Sequence, residues 1–486
     1  MRRLTETRRP VLWLVGGRLT GLVSVGLPMV LARLFAPAEF GAYRQLFLLY
    51  GTLYLIAQLG MAEALYYFVP RARDQAGRYV ANAVVALGAT GALSLLLLVG
   101  AAGPLAALLG DAPAARWLPL LGVFLFGMLA SAGLEAVLVS ERRYRAAACA
   151  YGLSDVVRTG LMLAPALITR SIGALLWGAV AFAALRLAAT LAVLARLYGR
   201  AARPSLALAG RQLGYALPFA AAVVVDTLHQ QLHLYVIANR FEPATFALYS
   251  VACFQIPFVD FLVTSVGNVL MVRLGQAHDA AAARELFGAA AARLALFLFP
   301  LVAFITVAGG DLITVLFGAT YEASGPLFVL ASLLVLLAVI PSDAMLRASA
   351  ETHALFALGL LRLAALAVLL PLLLAAAGLA GALIATLGAA ALAKGAALAR
   401  IADRLDADLG QVLPWRVLGR TALAAGAAAA AAFLVGEIEP QPLRLARLAL
   451  GGAVFAGAYL LLALRLGLTP RPAPTLAPPC AASQES

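Results

Sequence analysis

Charged side chains are scarce in this sequence: Asp, Glu, Lys and Arg make up 12% of its 486 residues, while 63% are hydrophobic. A soluble globular surface needs roughly a quarter of its residues charged, so a water-soluble protein of this length is excluded. Lysine is nearly absent; Lys394 is the single one, and every other basic residue is Arg. The three cysteines, Cys149, Cys253 and Cys480, form no CxxC and no paired spacing, so neither a structural disulfide nor a thiolate metal site is expected. No nucleotide-binding glycine loop occurs, so ATP does not drive this chain from within.

What is present is apolar sequence in blocks of about twenty residues, the length a helix needs to cross some 30 Å of hydrocarbon. The blocks are continuous rather than alternating, so they read as helices and not as barrel strands. Spans are expected at Val11–Leu34, Tyr43–Val69, Val80–Gly103, Leu118–Ser140, Ala148–Thr169 and Ile172–Ala195. A second set covers Gly214–Ala238, Tyr249–Leu274, Phe287–Ala308, Pro326–Leu346, Ala354–Ala376 and Leu379–Ala399, and two more follow at Arg416–Val435 and Arg444–Leu464. The fold class is therefore an all-α polytopic membrane protein of about fourteen transmembrane helices. Arg8-Arg9 ahead of the first block superficially matches a twin-arginine signal, but the block is too long for a signal core and more spans follow.

The net charge of +13 does not mark a nucleic-acid binder, because the arginines recur in short clusters between spans. Clusters at Arg2–Arg9, Arg71–Arg78, Arg142–Arg145 and Arg196–Arg211 alternate with loops holding fewer cations. The positive-inside rule then places both termini in the cytoplasm, and the expected location is a bacterial inner membrane.

An internal repeat organises the chain. Ala32–Tyr43 reads ARLFAPAEFGAY and Ala238–Tyr249 reads ANRFEPATFALY, with Phe, Pro and Tyr among six matches in twelve. Leu108-Leu109-Gly110 and Leu316-Phe317-Gly318 sit at nearly the same offset. Six spans separate the copies, an even number, so the repeat is parallel and a central site between two bundles is expected. The expected division is a six-helix lobe at 1–195, a basic linker at 196–213, a second six-helix lobe at 214–400, two additional helices at 401–464 and a Pro-rich, disordered cytoplasmic tail at 465–486.

The segment Leu31-Ala32-Arg33-Leu34-Phe35, followed by Pro37, Glu39-Phe40-Gly41 and Tyr43, resembles the LARxLGPxEFGxY signature of bacterial polysaccharide transporters. These are the Wzx-type oligosaccharide flippases of the multidrug/oligosaccharidyl-lipid/polysaccharide exporter superfamily. Leu316–Gly318 with Tyr321 is similar to the family's segment before its tenth helix, whereas Phe35-Ala36 departs from the usual Leu-Gly. The resemblance implies two six-helix lobes in a V, two extra C-terminal helices, alternating access, no cofactor and no enzyme chemistry. The implied cargo is a polyprenyl-diphosphate-linked glycan moved for O-antigen, capsule or exopolysaccharide synthesis, beside polymerase and glycosyltransferase machinery. A peptidoglycan-precursor flippase and a cation-coupled drug exporter are the alternatives within the superfamily.

Charge inside hydrocarbon needs a reason, since it costs at least ~2.5 kcal/mol near a helix centre. Arg18, Arg158, Arg186, Arg293 and Arg362 fall inside spans and are candidates to bind a diphosphate through charge-assisted, bidentate bonds. Snorkelling to the headgroups, or for Arg158 a structural pair with Asp155, is the competing reading. Asp226, His229 and His233 share one stripe of the seventh span, and Asp260 lies in the eighth. Asp226, His229 and Asp260 are candidates for proton coupling or for a buried structural stripe. The repeat sets Asp226 opposite Arg18, a possible state-dependent pair. His229-Gln-Gln-Leu-His233 lacks the general-base Glu of HExxH, so a zinc protease is disfavoured. A glycan polymerase or ligase is disfavoured by short outer loops, the longest being Pro104–Trp117 and Gly309–Gly325, which hold Asp111, Asp311 and Glu322 without a paired acidic motif.

Overall fold

The computed structural model describes residues 22–110, 112–201, 203–277, 279–438 and 444–468. Arg18, the N-terminal arginine cluster, Asp111 and the tail beyond Leu468 lie outside them. Every regular element among the described residues is helical. Eleven helices are long and apolar enough to cross a bilayer. One of these, Thr352–Arg404, runs 53 residues with non-helical backbone angles at Ala377 and Gly378 (φ 57° at Gly378). At 1.5 Å per residue a straight helix would reach about 80 Å, far beyond any bilayer. The chain instead folds back at Gly378, and Gly381 packs against the Leu373 carbonyl, so the eleventh and twelfth spans are separate. Tyr144–Thr169 has spanning length at 26 residues but carries Arg145, Asp155 and Arg158. With it and the described part of the first span, Leu22–Leu34, the chain has the fourteen spans the sequence predicts.

Several spans are interrupted. The second is Pro37–Ala57 and Met61–Arg71, parted at Leu59 and Gly60, both with positive φ. The fourth is Leu118–Ala130 and Leu134–Ser140. The eighth is Pro243–Ala252 and Pro257–Leu274. The tenth is built from Gly325–Ser332, Leu334–Leu337 and Ser342–Ala348. Backbone freed by such breaks cannot face lipid; protein or water must satisfy it.

The chain divides into two compact units, one ending at Ser250 and the other starting at Val251. In the first, the fourth span is central, with 78% of its apolar window buried. It packs on the third and sixth spans through small residues: Gly91 lies against Phe126, and Gly127 against Ala183. Small residues of this kind let helix backbones approach where lipid gives no hydrophobic drive.

The boundary between units falls later than the 196–213 linker. The sixth-span helix runs to Tyr198 and the next starts at Leu206, so most of that basic segment is helical and only a short connection remains. The side chain of Asn82 clamps the connection, donating to the Ser205 carbonyl (3.1 Å) and accepting from its N–H (2.8 Å). Leu206–Arg240 then packs on Pro37–Ala57, Met61–Arg71 and Ala76–Gly100, which is why the seventh span groups with the first unit.

In the second unit the 38-residue helix Ala280–Phe317 is the spine. The last two spans, Trp415–Ile438 and Arg444–Arg465, pack on it through Ala428, Ala429, Ala432 and Phe455 beside Phe304. The Tyr459 hydroxyl donates to the Leu296 carbonyl at 2.8 Å. Arg444 pairs with Glu322 (3.1 Å) and Arg447 with Asp311 (3.4 Å). Asp311 thus lies inside the Ala280–Phe317 helix and not in the loop expected at Gly309–Gly325, and both it and Glu322 are tied to the final span.

Candidate functional site

The signature loop is built residue by residue for packing. Pro37 opens the second span at its first turn, where a missing N–H is harmless, and the Glu39 carboxylate accepts from the Ala36 N–H at 3.2 Å. Phe40 and Tyr43 are buried, as are their repeat mates Phe246 and Tyr249. Gly41 lies directly against the carbonyl of Pro243, so the two copies of the motif pack on each other. Gln45, fully buried, donates to the Leu109 carbonyl at 2.9 Å and the Ala238 carbonyl at 3.4 Å, and Arg44 donates to the Ser250 hydroxyl at 3.3 Å. Asn239 closes the cluster by donating to the Ala107 carbonyl at 3.1 Å.

Beneath this, the first unit holds a cavity of about 270 Å³ that is lined by both Arg158 and Arg186. The structure brings these two sequence candidates together, and it surrounds them with Glu63, Glu135 and Asp155. Arg158 pairs with Asp155 at 2.8 Å, one helical turn away. Arg186 donates from Nη2 to both Glu135 oxygens at 2.7 and 2.9 Å, and further donates to Ser154 (2.7 Å) and Ser131 (3.2 Å). Two guanidiniums against three carboxylates leave no positive excess in this cavity. Neither Glu135 nor Glu63 was legible as a site residue, because a single acid inside an apolar block shows no partner until the spans are placed.

The second unit has a cavity of about 210 Å³ lined by Arg293 together with Arg273 and Ser265. Among the described residues no carboxylate lines it; the remaining described wall is apolar or alanine. Arg273 closes the eighth-span helix, and its distance from Arg293 in sequence hid the convergence. Arg362 is half-buried on the eleventh span and belongs to the lining of neither cavity.

The coupling candidates separate. Asp226 is largely exposed, with its side chain at 62%, and lies 3.5 Å from the buried His229. The Gln230 amide donates to Asp226 at 2.7 Å. His233 shares a hydrogen bond of 2.8 Å with the Tyr249 hydroxyl, tying the histidine stripe to the second motif copy. Asp260 is exposed and sits in the first turn of Pro257–Leu274. The eighth span breaks at Cys253–Ile256, so Asp260 meets the positive end of a helix dipole and not the middle of a continuous helix. Among the described residues no three His, Cys, Asp or Glu side chains converge to hold a metal.

A family model described as polysaccharide biosynthesis protein matches residues 30–326. The chain belongs to that family. Its fold is shared with solved transporters. A lipid II flippase MurJ in an inward closed conformation superposes with a TM-score of 0.72 at 12% identity, covering 94% of this chain and 99% of that one. An inward-facing multidrug resistance MATE family transporter of the MOP superfamily gives 0.60 at 16% identity, over 80% of this chain and 94% of that one. A MOP superfamily transporter from Pyrococcus furiosus, whose description speaks of a reversed polarity of the binding pocket, gives 0.57 at 16%, over 82% and 95%. No curated protein sequence matches. The chain is a multi-pass membrane protein that shares the fold of these solved transporters.

Proposed function

We propose that this chain moves a polyprenyl-diphosphate-linked oligosaccharide from the cytoplasmic to the periplasmic leaflet by alternating access. Membership of the polysaccharide biosynthesis family carries the glycan part of this reading. The arginine pair of the second unit supports the diphosphate part: Arg273 and Arg293 line one cavity, and guanidinium suits phosphate oxygens. With cytoplasmic termini, the helix ends at Leu274 and Ala280 lie on the cytoplasmic side, so this cavity is where a cytoplasmic cargo head would first be met. Arg18 and Arg362 remain further candidates for the same head, and Arg158 and Asp226 for later steps. Glycosyltransferases that assemble the cargo and a polymerase that consumes it are the expected partners, in a bacterial inner membrane.

A second reading, flipping of a peptidoglycan precursor, draws on the likeness to the lipid II flippase over nearly the whole chain. The deciding experiment reconstitutes the purified chain in vesicles with either lipid-linked glycan loaded in one leaflet. Arrival in the other is read with a membrane-impermeant glycan-modifying enzyme. Transfer of a polyprenyl-diphosphate oligosaccharide in preference to the peptidoglycan precursor is the expected outcome; transfer of neither above protein-free vesicles would sink the flippase reading.

A further inference from the structure

Arg186 and Lys394 stand 208 residues apart, and so do their acidic partners Glu135 and Asp343 (186 to 394, 135 to 343). The same offset relates the backbone around them. Residues with positive φ recur at Arg142 and Ala350, both 57°, and at Arg170 and Gly378, 48° and 57°, the last pair differing in ψ. The turn after the fourth span closes with Arg143 N–H donating to the Leu138 carbonyl (2.8 Å), and the turn after the tenth with Glu351 N–H donating to Leu346 (2.9 Å). The two ion pairs are therefore the same structural feature occurring once in each repeat.

Each pair also sits at a break. In the first repeat, Arg186 on the sixth span reaches Ser131 and Glu135, which flank the interruption between Leu118–Ala130 and Leu134–Ser140. In the second, Lys394 on the twelfth span donates to the Ile340 carbonyl (3.3 Å), the Ser342 hydroxyl (2.7 Å) and Asp343 (3.2 Å), at the interruption before Ser342–Ala348. The broken helix takes the Ile340 carbonyl out of the regular ladder, and it accepts instead from the Ser342 N–H (2.8 Å) and from Lys394.

We propose that Glu135–Arg186 and Asp343–Lys394 are one brace present twice, fastening the interrupted fourth or tenth span to the sixth or twelfth so that each segment moves as a rigid piece. The four side chains are positioning residues, and Arg186 is committed to Glu135 instead of to cargo. The two copies differ in strength. In the first, one guanidinium nitrogen, Nη2, is shared by both Glu135 oxygens and the side chains are 10% and 8% exposed; the second is a point contact with Asp343 68% exposed. Burial strengthens a charge-assisted bond by lowering the local dielectric, so the first copy is the tighter.

The test is a pair of double-mutant cycles on thermal unfolding of the purified full chain: Arg186→Met with Glu135→Leu, and Lys394→Met with Asp343→Leu. Removing one partner strands a charge, whereas removing both leaves apolar groups that a membrane interior accepts. Expected in both repeats is a double variant that melts no lower than its worse single, with the larger coupling in the first. Additive losses in either repeat overturn the duplicated brace. Should the singles fail to fold, Arg186→Lys with Glu135→Asp, which copies the second repeat's chemistry into the first, takes their place. It should fold and melt below the parent chain; failure of this variant to fold would also count against equivalence. A further arm measures surface glycan in cells that depend on the chain for it. Arg186→Met with Glu135→Leu should keep glycan within a few-fold of the parent, and a normally melting double variant without glycan would return Arg186 to the cargo site. The melting arm does not rest on the proposed cargo, so the two readings can fail separately.

Discussion

Gly41 tests the packing of the signature loop most sharply. A Cβ built on Gly41 meets the carbonyl oxygen and carbon of Pro243 inside van der Waals contact, and the Pro243 Cα at 3.1 Å. All three are backbone atoms on another helix, held by Pro37–Ala57 on one side and by the buried Phe246 and Tyr249 on the other, so no side chain can rotate away. Gly51 lies in the same helix, and a Cβ there meets nothing within 4 Å. Alanine gains helix propensity over glycine at both sites, by up to about 1 kcal/mol, and this gain cancels when the two variants are compared. The clash remains, in the overpacking range of about 1–3 kcal/mol, and backbone contact argues for its upper end. A difference of that size is about a hundredfold in the equilibrium between the closed arrangement and any state that has lost it. Thermal unfolding of the two purified variants in the same detergent should show Gly41→Ala melting well below Gly51→Ala. Equal melting, or a more stable Gly41→Ala, would mean that the motif copies do not pack together and would refute the reasoning.

Two further outcomes follow from the same geometry. At Gly378, φ 57° with ψ −138° is a region that residues with a Cβ avoid, so Gly378→Val should cost about 1–3 kcal/mol and lower the melting temperature, while valine at Gly395 in the twelfth span, where a Cβ meets nothing within 4 Å, should cost less. Arg273→Ala and Arg293→Ala should each reduce vesicle transfer of a diphosphate-linked glycan at least tenfold, with Lys in their place recovering part; unchanged transfer in both Ala variants would remove the second-unit cavity from the cargo path.

Span number and type were legible because hydrocarbon thickness sets block length, and neither Pro nor Gly in the interior of a block disturbed that reading. Interruptions were less legible. The break at Leu59–Gly60 falls inside a continuous apolar run, and the one at Cys253–Ile256 moves Asp260 from mid-span to a helix start. Hydropathy reports whether a segment can sit in lipid, not whether its backbone is helical throughout. The signature loop was legible as a repeat, but the use of its glycine was not, because Gly41 is explained by an atom of the other copy. The cavity residues were the least legible. Arg158 and Arg186 were expected for their charge, yet what they do depends on Glu135 and Asp155, and only the placing of the sixth span beside the fourth reveals the Glu135 pair. Carrying the Leu109/Phe317 and Gly110/Gly318 offset forward would have matched Glu135 with Asp343 and Arg186 with Lys394 from sequence alone.

The allocation of charge then has a physical logic. A guanidinium deep in a bundle must be compensated while the protein folds, before any cargo arrives, because an uncompensated ion in low dielectric is too costly to hold. Arg186, at 10% exposure, is therefore the arginine most in need of its own carboxylate, and it has one in Glu135. A cation intended for an anionic cargo has to remain where water can solvate it in the cargo's absence. Arg273 meets that condition: it lies in the last turn of its helix, beside the turns at Gly275–Ala277, and no acid is among the described residues that line its cavity. Depth and availability trade against each other, so under the proposed function cargo capture is expected at the shallow end of the spans, with Arg186 held by its own carboxylate at the interrupted fourth span.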